Sequence, residues 1–163
     1  MTEQQLSLSP FYAGWDVYQH HLVAAIAPLT AEQLALRAAP QQWSIGRLTA
    51  HVTAARVVHF HLRMGEGSSD LAPMAAWGAD GAPLRSAAEL VAGLEASWQM
   101  IQDALARWTP ADLEPVFPHP VRAEWPARSR QWIIWHVLEH DIHHGGELSS
   151  ILGANCLAAV DLE

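Results

Sequence analysis

Four histidines, His136, His140, His143 and His144, crowd into a stretch, residues 132–147, whose pattern is otherwise helical. On a helix, positions four apart share a face and stand about 6 Å apart along the axis. His140 and His144 therefore point at one spot, and His136 sits one turn further back on the same stripe. Two imidazoles at i and i+4 make half of a transition-metal site without any loop to order. A third imidazole from another helix completes a three-histidine site with an open position, the layout of a metal that does chemistry.

The third ligand comes from the second helical pattern, residues 44–64, where His51 lies within about 60° of the apolar positions Leu48, Val52 and Ala55 and so faces inward. His59 also belongs to that stripe but lies two turns onward, and His61 points sideways. A lone inward histidine is usually a core residue satisfied by a carbonyl. Two adjacent buried imidazoles, however, need several hydrogen-bond partners that bundle cores rarely supply. The expected metal ligands are His51, His140 and His144. His136 is a candidate substrate-facing base, with packing as the alternative. His143 is expected at a rim or interface, and His20, His21 and His119 join no constellation. Glu139, Asp141, Glu147 and Asp16 are candidate partners for the ring nitrogens not on the metal.

The elements that must position these residues are four amphipathic helices. The first covers residues 9–29, with Ser9 as cap, Pro10 at the first helical position and Phe11, Trp15, Tyr18, Leu22, Ile26 and Leu29 as its stripe. The second starts at Ser44, buries Ile45, Leu48, Val52, Ala55, His59 and Leu62, and stops at Gly65. The third opens on the capping box Ser86-Ala87-Ala88-Glu89 and the fourth near Ser129, ending at Gly153. Residues 66–85 read as a long loop. Residues 109–128 are proline-rich, with a short irregular or hairpin insert around residues 121–125. The expected fold is all-α: a four-helix bundle with long connections, forming one domain over residues 1–163.

There is also a faint internal echo. Leu29-Thr30-Ala31-Glu32-Gln33-Leu34 resembles Trp108-Thr109-Pro110-Ala111-Asp112-Leu113, and Trp43 precedes His51 by the same eight residues that separate Trp132 from His140.

Composition excludes several classes. The net charge is −8 and the nine basic residues are all arginine, so no basic face for nucleic acid exists. No segment approaches 18 uninterrupted apolar residues, and the polar start of the chain lacks a signal-peptide core. A single cysteine, Cys156, leaves no intrachain disulfide and no cysteine-based zinc site. A cytoplasmic protein with a core that buries about 70% of its unfolded surface is expected, the eight tryptophans filling its interior.

The strings Trp43-Ser44-Ile45-Gly46-Arg47-Leu48-Thr49-Ala50-His51 and His136-Val137-Leu138-Glu139-His140-Asp141-Ile142-His143-His144-Gly145-Gly146-Glu147 resemble those of the DinB/YfiT-like superfamily. The resemblance implies a metal-binding four-helix bundle, a homodimer, and metal-dependent hydrolysis or thiol-dependent transfer, since some members use bacillithiol or mycothiol. Carried over by position, the family's ligands fall on His51, His140 and His144. The family commonly ends this motif His-His-Arg-Gly-Gln; here it is His143-His144-Gly145-Gly146-Glu147, so the arginine is missing.

Three neutral imidazoles leave zinc or nickel with an open position. Such an ion lowers the pKa of bound water from about 15.7 to about 7, or holds a low-molecular-weight thiol as its thiolate. The first chemistry gives a hydrolase, the second a transferase acting on a small electrophile; a bundle that binds metal or a small molecule without turnover is the non-enzymatic alternative. The string His140-Asp141-Ile142-His143-His144 resembles a zinc-protease motif with Asp141 in place of the usual glutamate base, which makes Asp141 a second catalytic candidate. Arg47, one turn before His51, is a candidate for binding an anionic substrate group. Gly145 and Gly146, poor residues for a helix interior, imply close approach by another helix or by a bound molecule.

Overall fold

The computed structural model describes residues 6–160. Residues 1–5, part of the polar start on which the signal-peptide reading rests, lie outside them. The chain enters through a 3-10 turn, Ser9–Tyr12, before α1, Ala13–Ile26. Ser9 makes no cap, and Phe11 stands 71% exposed instead of joining the stripe. The tighter turn, about 3.0 residues instead of 3.6, swings that side chain off the helical face. The short α2, Ala31–Leu34, follows. Next comes α3, Ile45–Arg56, capped by Ser44.

The second predicted helix does not continue regularly. Past Arg56 it widens into π-helical turns, Val57–Arg63. The wider turn changes the register, so Leu62, expected inside, is 40% exposed, while His59 and Phe60 are buried. The expected 66–85 loop contains a 3-10 segment, Ser69–Ala76, pinned by buried Leu71. Beyond it Trp77 lies so close to Gly93 that a Cβ there would meet its ring at 2.4 Å.

Ser86 and Glu89 form the expected capping box of α4, Ala87–Arg107. A 3-10 turn, Pro110–Leu113, and a small antiparallel pair, β1, Val116–Phe117, with β2, Arg128–Ser129, lead into α5, Arg130–Ala154. The hairpin therefore pairs outside residues 121–125, which lie within its connecting loop, residues 118–127. Ser129 caps α5, and the helix passes Gly153 by one residue before Cys156 adopts the left-handed φ of 56°.

The first half of the internal echo is realised. Thr30 with Gln33 and Thr109 with Asp112 are both capping boxes on short helical turns. The second half is not, because Trp43 precedes its helix whereas Trp132 lies in the first turn of α5.

The result is a four-helix bundle of α1, α3, α4 and α5 with two apolar clusters. One gathers Trp15, Phe60, Trp98, Ile101 and Ile133; the other gathers Leu22, Ile26, Ile45, Leu90 and Leu148. A fully buried polar knot lies between them along the chain of each helix. Arg56 pairs with Asp141 at 2.7 Å and donates to the Gln19 side chain at 2.8 Å and the Leu94 carbonyl at 3.3 Å. Trp15 donates its indole N–H to Asp141 at 2.8 Å. One residue from α3 thus ties α1, α4 and α5 together.

The two adjacent glycines of α5 differ. A Cβ on Gly145 would stand 1.7 Å from the Tyr18 hydroxyl, which donates to the Asp141 carbonyl; a Cβ on Gly146 meets nothing within 4 Å. Gly145→Ala is expected to destabilise by about 1–3 kcal/mol through overpacking. Gly146→Ala should stabilise by up to about 1 kcal/mol through helix propensity. Urea denaturation of both variants checks the pair, and equal signs would refute the packing argument.

Of the eight tryptophans, Trp15, Trp98 and Trp108 are buried. Trp43, Trp125, Trp132 and Trp135 are exposed by 36–59%, so much of the aromatic complement lies outside the core. Three of these exposed rings stand beside histidines.

Candidate metal centre

His51 from α3 meets His140 and His144 from α5. One ligand nitrogen from each lies within 4.8 Å of the others, and the His51 and His140 Nε2 atoms are 2.9 Å apart. Two imidazole nitrogens that close share either a proton or a cation. Imidazole-bound zinc sits about 2.0–2.1 Å from nitrogen, so one ion can span that gap. His144 is oriented by Glu147, whose carboxylate accepts from Nδ1 at 2.6 Å; this leaves Nε2 for the cluster. His140 Nδ1 is enclosed and has no protein partner among the described residues. The fit to a metal therefore rests on convergence and on the donor set rather than on an orienting partner at every ring.

Electrostatics keep the donors in the ligating form. Burial pushes the pKa of His51 down to about 4, helped by neighbouring His144 and Arg47. Burial and the adjoining histidines push His140 down to about 2, and burial takes His59 down to about 3. These imidazoles are neutral in the fold at neutral pH, whereas free histidine titrates near about 6.5. Below that value the unfolded chain binds protons that the folded chain refuses, so stability must fall with pH. The metal-free protein is therefore expected to lose stability steadily from about pH 6.5 toward pH 4. Denaturation midpoints at several pH values test this, and a flat profile across that window would contradict it.

The other candidates are placed as follows. Asp141 is fully buried and occupied by Arg56 and Trp15, so it cannot serve as a base at the histidine cluster. A helical wheel gives its direction but not the arginine waiting there. Asp16 accepts from Trp98 and Gln102, and Glu139 stands 3.8 Å from His136, so of the proposed orienting carboxylates only Glu147 reaches a cluster histidine. Arg47 bonds the Gly78 carbonyl at 3.1 Å and Asp80 at 2.7 Å, strapping the 66–85 segment to α3. Nη2 makes both contacts, while Nε has no partner among the described residues. His143 is exposed, 4.0 Å from Glu147.

Sequence reasoning missed two features. Trp43 packs against His51, ring centres 4.8 Å apart, and stacks on His144 at 6.3 Å, walling the cluster. Its position just before the Ser44 cap was the available signal. His119 stands in the β1–β2 loop, 5.8 Å from His59, which is 5.1 Å from His136. A proline-rich loop gives no periodicity from which that encounter could be read.

Fold and site together define a class: a helical bundle in which two helices bring three imidazoles to one point. The chain belongs to the DinB superfamily, whose family profile matches residues 15–148. Its fold is similar to the crystal structure of a DinB-like protein from Bacillus cereus ATCC 10987, with a TM-score of 0.71 and 18% identity over 96% of this chain and 97% of that one. A search of curated proteins finds no match. No helix among the described residues is long and apolar enough to cross a membrane.

Proposed function

We propose that the protein is a divalent-metal-dependent enzyme that transfers a low-molecular-weight thiol to a small electrophile, with His51, His140 and His144 as the ligands. The convergence of three imidazoles, with no fourth protein donor in the cluster among the described residues, is the observation that carries this reading. A zinc or nickel ion held there supplies Lewis acidity, which favours the thiolate form of a bound thiol at neutral pH.

The chain's own residues do the rest. Glu147 fixes the His144 ring, and Trp43 closes one side of the cluster. His136, whose pKa burial lowers, is a neutral acceptor on the same helix face as His140, ring centres 6.1 Å apart. It can take the thiol proton while sulfur forms its bond to the electrophilic carbon and the displaced electron pair leaves with the departing group. Hydrolysis after the zinc-protease pattern is disfavoured because Asp141, the residue at the base position, faces the core. The homodimer implied by the resemblance belongs to this reading, and the exposed Phe11, Val17 and Ile142 offer it an apolar face.

Cobalt substitution tests the proposal. Addition of 2-mercaptoethanol to the cobalt-loaded protein is expected to produce thiolate-to-cobalt charge-transfer absorption, which His51→Ala abolishes. Cobalt spectra indifferent to thiol would refute thiol transfer.

A further inference from the structure

Beside the histidine cluster, between the π-helical turns, the β1–β2 loop and the start of α5, lies a cavity of about 330 Å³. That is the size of a small-molecule site. Arg63 and Arg128 both border it, with His59, His119, Trp125 and Trp132. No carboxylate lies in its lining, and neither arginine has an ion-pair partner among the described residues. In a chain of net charge −8 this is an unusual place to collect positive charge.

Arg63 is buried, and it spends Nε and Nη2 on the carbonyls of Phe117 and Pro126, so neutral acceptors alone meet its charge. Arg128 lies close enough to depress the Arg63 pKa further. Arg128 itself is exposed and lies over the Trp132 ring at 4.8 Å, so it brings a second positive charge to the mouth of the cavity, where an anion can meet both guanidinium groups.

The imidazoles agree with that reading. His59 is only 7% exposed, and its Nδ1 has no protein partner among the described residues. His119 Nδ1 accepts from the backbone N–H groups of Val121 and Arg122, which leaves its proton on Nε2 as a donor. Trp125 lies edge-on to His119 at 5.0 Å, and Trp132 is stacked on His136 at 4.7 Å. The exposed rings give the cavity an aromatic rim.

We propose that this cavity receives a small organic anion, its acid group against Arg63 and Arg128 and its planar or apolar body against the tryptophan rim. The site is separate from the metal ligands but adjoins them through His136. On the reading of the protein as a thiol transferase, on which this last step rests, the anion is the electrophilic substrate and its reacting end extends past His136 toward the histidine cluster. The β1–β2 insert is then the part of the chain that chooses the substrate, since it supplies His119, Trp125 and, on β2, Arg128.

Benzoate is a suitable probe, with benzamide as its neutral counterpart and phenyl phosphate as the alternative acid. In tryptophan fluorescence or NMR titrations, benzoate or phenyl phosphate should bind saturably and benzamide should not; the tighter of the two identifies the acid group. Arg128→Gln, at an exposed position, is expected to weaken binding by about tenfold or more, the loss of a charge-assisted contact. His51→Ala should leave anion binding unchanged, so a failed metal site and a failed anion site give different results. Arg63→Lys, which keeps the charge but loses the fork, should weaken binding while leaving the fold intact by circular dichroism. Absence of saturable binding by either acid, equal binding of benzamide, or indifference to Arg128→Gln would overturn the proposal.

Discussion

Replacing Arg56 by methionine is expected to cost about 3–5 kcal/mol, because it strands the Asp141 carboxylate in a core that water does not reach. Both side chains are completely buried, and the guanidinium touches residues of all three other long helices. For a domain of this size the melting temperature should drop by about 10 °C or more. Asp141→Leu alone should cost a similar amount, since it leaves the arginine unpaired. The double variant Arg56→Met with Asp141→Leu should recover much of the loss, because exchanging a buried ion pair for apolar packing is often neutral. Thermal and urea denaturation of the three variants decide the matter. If the single variants lose less than about 1 kcal/mol, the pair behaves like a surface bridge and the knot does not hold the helices.

The second large effect concerns the metal. His140→Ala is expected to remove stoichiometric binding of zinc or nickel, weakening affinity by more than about hundredfold, since loss of an outer-shell partner alone typically costs 10–100-fold. Glu147→Gln, which weakens only the orientation of His144, should fall within that smaller range. Elemental analysis and competition titrations with a chelating dye measure both. A His140→Ala protein that still carries one equivalent of metal would move the site elsewhere.

Much of this architecture is written in the periodicity of the chain. The caps at Ser44, Ser86 and Ser129 and the apolar stripes place three of the long helices within a few residues. The i, i+4 spacing of His140 and His144, with His51 facing inward from its own helix, anticipates the cluster without any loop. What escapes is what pattern cannot encode. A helical wheel assigns Asp141 a direction, yet its environment depends on Arg56, 85 positions earlier. The widening after Arg56 leaves no marker such as proline or glycine within the turns, so Leu62 was expected inside. His119 reaches His59 only because the β1–β2 pair folds its loop back over α3's extension.

That widened stretch at Val57–Arg63 has an evolutionary corollary. A π turn holds one residue more than the α turn it replaces, and is in effect a tolerated insertion. Deleting one residue there would return the stretch to α geometry and change which of its side chains, Arg63 among them, face the carbonyls of the β1–β2 region. His51, upstream, would keep its bearing. Chains of this architecture with and without the extra residue should therefore share the same imidazole trio yet differ in the walls of the chamber next door.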